Sequence, residues 1–331
     1  MSAPIRIGRR ALLCGSVLLF AVTAAVPAAA DGSRIVKVAA DTRGVTVTLD
    51  LDTAPFPSNN AVGYRDGTVL VFVPWHHRVA RDGAVSIVLH FHGHNTTVDK
   101  TIAAHQLREQ LDDSRQNAIL VVPQLAVSAA DSSCGKLEAQ GGVARMLASV
   151  LASLSAKEIS ALTKHAAIPV GASVGRLCVS AHSGGYHAAA CALKGGGVPV
   201  QETFLFDALY ADVDVFKEWV VAGMGKSRDA RHKLISYFTD GGNTAGNTRN
   251  LFSQLAQAGV ECAKEEVEGT LSRGELTRAE AVSIKTSLTH GAVTCELNGL
   301  RDCLYASTLR RRLQSSWFDA TQGHRPLERR R

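Results

Sequence analysis

The stretch Arg176-Leu-Cys-Val-Ser-Ala-His-Ser183-Gly-Gly-Tyr-His-Ala-Ala-Ala-Cys-Ala-Leu193 predicts a strand that turns sharply into a helix. Its first half is apolar and compatible with a strand, whereas its second half is rich in alanine and favours a helix. A serine at the apex of such a strained turn requires small residues two places before and two places after it. Ala181 and Gly185 meet that requirement. The pattern therefore predicts a nucleophilic Ser183, and the alternative is a glycine-rich loop that only joins two elements.

Apolar, β-branched segments recur on both sides of this stretch and alternate with helical patterns. Several of these strands are nearly continuous in apolar residues, as is typical of strands covered on both faces. We therefore expect an α/β fold in which helices cover both faces of a mostly parallel sheet. The predicted strands are 44–51, 68–74, 86–92, 117–123, 177–180, 202–209, 233–239 and 281–287, and the predicted helices include 98–111, 143–154, 213–221, 248–258 and 300–313.

Polar residues stand at or near the carboxyl ends of five predicted strands. Ligands bind at these ends in open parallel sheets, so the five side chains are expected to share one site. They are His92, Ser183, Asp207, Asp240 and His290.

Four of these side chains supply a candidate nucleophile, a candidate base and two candidate acids. A serine hydroxyl needs a base to remove its proton, and His290, in a loop late in the chain, is the candidate. A carboxylate must then orient the histidine, and Asp207 and Asp240 both follow Ser183 and precede His290. Asp207 lies in an apolar run in which an unpartnered carboxylate is costly to bury. Asp240 is followed by two glycines and is equally typical of a turn, so Asp207 is preferred and Asp240 is the alternative.

An oxyanion that develops during attack by Ser183 needs two hydrogen-bond donors. The backbone N–H of Gly184 is one candidate, and that of His94, after the flexible Gly93, is the other. Gln124 and Tyr210 also stand at strand ends and are predicted to contact substrate, although a satisfied loop residue and core packing are the ordinary roles for such side chains.

With these residues in place, the chain resembles the α/β-hydrolase superfamily, and in particular its secreted bacterial esterases. The resemblance covers roughly residues 44 to 313 and depends on His92-Gly93, the 181–185 turn, Asp207 or Asp240, and His290. It implies a three-layer α/β/α sandwich around an eight-stranded sheet, ester hydrolysis through an acyl-enzyme, and no cofactor. The departures are Ala181 in place of glycine, a second glycine directly after the serine, and an acid after the sixth strand if Asp207 is used.

Other functions are weighed against this one. A peptidase or amidase would use the same Ser-His-Asp site, and a non-catalytic exported binding protein would keep only the fold. A metallohydrolase would use the alternating His90, His92 and His94 with further ligands, but it leaves the serine turn unexplained, so no metal is expected. The net charge of +6 is modest and the sequence has no basic stripe with interleaved aromatics, so we do not expect it to bind nucleic acid.

The two ends of the chain have compositions unlike the middle. Residues 1–30 combine a basic start, an apolar segment and an Ala-x-Ala site, which predicts a cleaved export signal and no membrane anchor after cleavage. The hydrolase domain is expected to span 31–320, and the polar, arginine-rich 321–331 is expected to be disordered. The six cysteines after residue 30 suggest disulfides, of which Cys295–Cys303 is the predicted pair and Cys262 the competitor for either partner. No C-x-x-C spacing indicates a structural zinc.

Overall fold

The computed structural model describes residues 32–61, 63–240, 243–312 and 329–330. Within them, ten strands join one sheet in the order β1-β2-β3-β5-β4-β6-β7-β8-β10-β9. The strands at the β1 end, up to the pairing of β3 with β5, are antiparallel, and all the others pair in parallel. The strands are β1 Arg34–Ala40, β2 Gly44–Asp50, β3 Thr68–Pro74, β4 Ala84–Phe91, β5 Ile119–Pro123, β6 Ser173–His182, β7 Glu202–Phe206, β8 Lys233–Thr239, β9 Cys262–Glu265 and β10 Ala281–Thr286.

Helices cover both faces of this sheet, because each helix buries an apolar stripe against alternate side chains of the strands. One core contains the apolar residues of α3, α5, α6 and α7, and a second core on the other face contains those of α1, α2, α8 and α9. The helices in the described residues are α1 Val98–Ala104, α2 Leu107–Ser114, α3 Gly142–Leu154, α4 Lys157–Thr163, α5 Tyr186–Gly195, α6 Val213–Gly223, α7 Asn243–Gln257, α8 Arg273–Arg278 and α9 Gly299–Ala306.

The predicted fold class is confirmed, whereas the predicted strand count of eight is wrong. All eight strands expected from the sequence are present, and β1 and β9 are added at the two edges of the sheet. An edge strand pairs on one side only and does not need a continuous apolar run. The side chains of β1 are accordingly exposed or half-buried, and β9 has only four residues. The single predicted helix over 98–111 is two helices, because Gln106 takes a left-handed conformation with φ 46°.

The predicted Cys295–Cys303 disulfide is not formed, and none of the six cysteines in the described residues is joined to another by a disulfide. Cys303 is fully buried in the core beneath α9. The Cys295 thiol instead donates to the carbonyl oxygen of Ala104, at 3.3 Å. Because helix α9 turns Cys303 toward the sheet while Cys295 faces the end of α1, proximity in sequence does not bring the two sulfurs together.

The two ends of the chain are described only in small part. The export signal predicted for residues 1–30 lies outside the described residues, as does most of the predicted disordered tail. Of that tail, Arg329 and Arg330 are described, and Arg330 forms an ion pair with Asp113 at 2.6 Å. Within the described residues no single helix is long and apolar enough to span a bilayer. Helix α3 and residues 157–166 together have the length and composition of a span, but the pair is bent by 74°.

Candidate active site

The turn around Ser183 lies between the end of β6 and the start of α5 and has a strained backbone. Ser183 has φ 52°, a conformation that non-glycine residues rarely adopt. A Cβ atom on Gly185 would lie 2.6 Å from the carbonyl oxygen of Phe91, so a larger residue is excluded there. Ala181 is fully buried and pairs with Phe91 of β4. The small residues around Ser183 are therefore required by the close approach of β4 to this turn.

The second glycine after the serine, an unexpected feature of the sequence, has a structural cause. The imidazole ring of His94 lies directly over Gly184, so that a Cβ atom there would be 2.1 Å from the ring. The ring is held by a 2.7 Å hydrogen bond between its Nε2 and the hydroxyl of Ser132. Gly184 thus allows the loop after β4 to pack against the serine turn.

Ser183, His290 and Asp207 form a continuous row of hydrogen bonds. The Oγ of Ser183 lies 2.8 Å from Nε2 of His290, and Nδ1 of His290 lies 2.7 Å from a carboxylate oxygen of Asp207. In this arrangement the Nδ1–H donates to the carboxylate, and Nε2 accepts the serine hydroxyl proton. Ser183 and His290 are half-buried, whereas Asp207 is only 2% exposed. The row therefore begins at the surface and ends at a buried negative charge.

Several donors stabilise the charge of Asp207. Besides His290, its carboxylate accepts hydrogen bonds from the Thr239 backbone N–H (3.3 Å), the Thr239 hydroxyl (3.0 Å) and the Thr244 hydroxyl. Burial raises the pKa of Asp207, but these hydrogen bonds outweigh that effect and lower the pKa to about 2. Asp207 is therefore a carboxylate at any neutral or mildly acidic pH.

Asp240, the alternative acid, lies at the same end of the sheet but has other partners. Its carboxylate is 2.7 Å from Nζ of Lys285 and 3.6 Å from the guanidinium of Arg249, and it is 62% exposed. The structure thus brings Asp207 to His290 and leaves Asp240 in a surface ion pair.

The loop after β4 is held in place by its own histidine, His92. The Nδ1–H of His92 donates to the carbonyl oxygen of Gly93 at 2.7 Å, and its Nε2 accepts from the Leu125 backbone N–H at 2.8 Å. Two residues further on, His94 packs against Gly184. The two residues predicted to donate backbone N–H groups to an oxyanion are therefore neighbours across the serine turn.

The structure places the side chain of Gln124, which was predicted to contact substrate, inside the protein. It is 1% exposed, and its amide group is fully used inside the protein. The amide oxygen accepts from the Val98 backbone N–H at 2.9 Å, and the amide nitrogen is 2.7 Å from Nε2 of His92. Gln124 thus supports the start of α1 and the His92 loop, since a strand-end position does not by itself set the direction of a side chain.

Tyr210, predicted to contact substrate, lines an open cleft of about 490 Å³ beside the row. Its ring centroid is 6.4 Å from that of His290. Burial and the negative charge of Asp207 raise the pKa of the Tyr210 hydroxyl, so this group stays neutral and able to donate. The cleft is lined by Asp207, Tyr210, Thr239, Asp240 and residues 286–290.

His182, directly before Ser183, contacts the loop that carries His290. Its Nε2–H donates to the backbone carbonyl of His290 at 2.8 Å, and the two rings lie 4.7 Å apart. Burial lowers the pKa of His182 to about 4, so its ring is neutral and keeps that hydrogen bond. His182 therefore holds the loop on which His290 stands, a role that its position beside the serine could have suggested.

The alternating histidines His90, His92 and His94 do not converge on a metal position. Nδ1 of His90 contacts the Ser180 hydroxyl at 2.9 Å inside the sheet, while His92 and His94 bind separate parts of the loops. Within the part of the chain that the structure describes, the ligand atoms that do converge belong to Cys134, His187 and Cys191.

Comparisons with known proteins identify only distant likenesses. No family model and no curated protein matches the sequence. An S-formylglutathione hydrolase from Agrobacterium tumefaciens is 13% identical, with a TM-score of 0.46 over 83% of this chain and 99% of that one. A feruloyl esterase module from Clostridium thermocellum, complexed with sinapinate, is 12% identical, with a TM-score of 0.44 over 88% and 96%. A Staphylococcus aureus S-formylglutathione hydrolase is 10% identical, with a TM-score of 0.41 over 72% and 90%. Because these identities and scores are low, the function of this chain has to be inferred from its own site.

Proposed function

We propose that this chain is a member of the α/β-hydrolase superfamily that cleaves carboxylic esters through an acyl-enzyme on Ser183. The observation that carries the proposal is the unbroken row from the Ser183 hydroxyl through His290 to the buried carboxylate of Asp207. Nucleophile, base and acid come from three different strand ends, which is the arrangement that activates a serine.

The reaction proceeds in two steps on this row. Ser183 Oγ attacks the ester carbonyl carbon while its proton passes to Nε2 of His290. The tetrahedral intermediate collapses, the C–O bond to the alcohol breaks, and His290 returns the proton to the departing alcohol. A water molecule, deprotonated by His290, then attacks the acyl-enzyme and releases the carboxylic acid, which restores Ser183. Asp207 stays ionised throughout and stabilises the positively charged imidazolium.

Charge on the carbonyl oxygen is stabilised in this proposal by the backbone N–H groups of Gly184 and His94. The packing of the His94 ring over Gly184 supports the proposal, because it brings the two chain segments together next to Ser183. Tyr210, which lines the cleft beside His290, is proposed to meet the substrate on the cleft side.

The fluorophosphonate reaction tests whether Ser183 is the nucleophile. A fluorophosphonate probe should label the wild-type chain on Ser183, and Ser183→Ala should abolish both labelling and turnover of a short-chain p-nitrophenyl ester while thermal unfolding is unchanged. Unlabelled wild type would support the non-catalytic binding protein instead. Faster turnover of matched anilides than of p-nitrophenyl esters would support the amidase.

Export is proposed from residues 1–30 alone. The basic start with Arg9 and Arg10, the apolar segment 11–26 and Ala28-Ala29-Ala30 support a cleaved signal. Amino-terminal sequencing of protein recovered from the medium or periplasm should begin at Asp31. Protein that stays in the cytoplasm with an intact start would contradict the export proposal.

A further inference from the structure

A second cluster of reactive side chains lies where the connection between β5 and α3 meets helix α5. The sulfur atoms of Cys134 and Cys191 and one ring nitrogen of His187 all lie within 4.8 Å of one another. None of the three takes part in the proposed ester hydrolysis. We propose that they bind a divalent cation of the zinc class, with a water molecule as the fourth ligand.

The spacing of two of these side chains matches zinc coordination. His187 and Cys191 stand one turn apart on α5, so they project from the same face of the helix. Nε2 of His187 lies 3.6 Å from Sγ of Cys191. With Zn–S near 2.3 Å and Zn–N near 2.0–2.1 Å, the edge between nitrogen and sulfur in a tetrahedral site is about 3.6 Å. The two ligands therefore have the required separation without movement of the helix.

The orientation of His187 is set from behind by a carboxylate. Its Nδ1–H donates to Asp212 at the start of α6, at 2.8 Å, which leaves Nε2 directed at the sulfurs. Metal-binding histidines commonly donate their second N–H to a carboxylate in this way, because the contact fixes the tautomer and the ring plane. Asp212 thus prepares His187 to act as a ligand.

Cys134 supplies the third ligand from a rigid position. It is fully buried, its backbone N–H donates to the Glu138 carboxylate at 3.1 Å, and its carbonyl accepts from the Leu137 N–H at 3.1 Å. His187 and Cys191 are half-buried, so the cluster is reached from one side by solvent. Two thiolates and one imidazole form a donor set that suits zinc and cobalt better than magnesium or calcium.

The bound ion would connect two segments that support the active site. The connection that contains Cys134 also contains Ser132, which holds the His94 ring, and α5 follows directly after the serine turn. A cation held between them should therefore raise the temperature of unfolding as its concentration increases.

Cobalt titration tests the proposal, because Co²⁺ takes zinc sites and its thiolate complexes absorb visible and near-ultraviolet light. The full-length protein is reduced with a phosphine, freed of metal with a chelator, and titrated anaerobically with Co²⁺. We expect one equivalent to bind with a thiolate-to-cobalt charge-transfer band, and one equivalent of Zn²⁺ to remove that band.

Matched variants assign the ligands. Cys191→Ser and His187→Gln should weaken or remove the band, and Asp212→Asn should lower affinity about 10- to 100-fold. Cys262→Ser, which changes a half-buried cysteine outside the cluster, should bind Co²⁺ as the wild type does. Ser183→Ala should also bind normally, so failure of the hydrolase proposal and failure of this one are distinguishable.

Three results would overturn the proposal. They are the absence of stoichiometric Co²⁺ binding by the reduced wild-type protein, an unchanged band in both Cys191→Ser and His187→Gln, and a Cys134–Cys191 disulfide in peptides of the protein isolated without reductant.

Discussion

Two rows of nucleophile, histidine and aspartate occur in this molecule, and they differ in geometry. In the first, Ser183 and His290 are 2.8 Å apart and His290 and Asp207 are 2.7 Å apart. In the second, Cys191 and His187 are 3.6 Å apart and His187 and Asp212 are 2.8 Å apart. Both rows contain a nucleophile, a histidine and an aspartate in that order. The residue types alone therefore do not distinguish the proposed catalytic row from the proposed metal site.

The surroundings of the nucleophile make the difference. Ser183 stands on a strained turn with φ 52°, beside Gly184 and the packed His94 loop, whose backbone N–H groups are proposed to stabilise a developing negative charge. Cys191 lies in the regular helix α5, one turn from its histidine, with a second thiol from Cys134 close by. Two thiolates and an imidazole can together coordinate one cation. A single hydroxyl at a strained turn is instead suited to attack a carbonyl carbon.

The largest expected contrast is between the two aspartates of these rows. Asp207→Asn should lower kcat by about 10³- to 10⁴-fold, because an amide favours the wrong tautomer of His290 and does not stabilise its charged form. Asp212→Asn should change kcat by only a few-fold, since His187 makes no hydrogen bond with Ser183 in the structure. Steady-state turnover of a p-nitrophenyl ester measures both.

Asp240→Asn is the second control in that experiment. Its carboxylate pairs with Lys285 and Arg249, so we expect at most a few-fold loss of kcat. If Asp240→Asn were the more damaging variant, the assignment of Asp207 as the acid would be wrong.

The packing of His94 against the serine turn predicts the next largest effect. Gly184→Ala places a methyl group 2.1 Å from the His94 ring, which displaces the loop proposed to supply an oxyanion donor. Loss of one such donor costs about 10²- to 10³-fold in kcat. Gly246→Ala, in helix α7 with no atom within 4 Å of the new Cβ, is the matched control and should keep wild-type turnover. Equal kcat values for Gly184→Ala and Gly246→Ala would show that the loop containing His94 does not contribute to the reaction.

The charge of Asp207 predicts a pH-dependent stability. Its pKa is about 2 in the folded chain, against 3.8 for an ordinary aspartate, so the ionised form stabilises the fold above pH 4. This contribution, about 2 kcal/mol, should be lost as the pH falls from 4 toward 2. Denaturant unfolding of the wild type and Asp207→Asn should show a difference in unfolding free energy that narrows over this range. A difference that does not change with pH would show that the carboxylate is not stabilised as described.

The smallest predicted effect concerns His182, which positions His290. His182→Phe removes the hydrogen bond to the His290 carbonyl and should lower kcat about tenfold with little change in KM, in line with the net value of one hydrogen bond. His182→Gln keeps an N–H donor and should recover part of the loss. A Gln variant as impaired as the Phe variant would mean that packing, rather than this hydrogen bond, is what the loop requires.

Local sequence patterns were sufficient to predict eight of the ten strands and the turn at Ser183. Continuous apolar runs identify the central strands, because strands covered on both faces bury every side chain. The edge strands β1 and β9 escaped prediction, since pairing on one side leaves them exposed or short. The interior position of the Gln124 side chain could not be predicted for a related reason, because the direction of a strand-end side chain depends on the loops packed over it.

The sequence by itself determined the α/β fold class and the set of polar residues at the carboxyl ends of the strands. The tertiary structure alone decided which side chains contact each other. It brings Asp207, and not Asp240, to His290. It brings Cys134 close to Cys191 and His187, whereas Cys295 and Cys303 do not form a disulfide. The physical reason is range. Strand and turn preferences act over a few neighbouring residues, whereas hydrogen bonds and metal coordination act through distances of a few ångströms, which are set only when distant segments pack together.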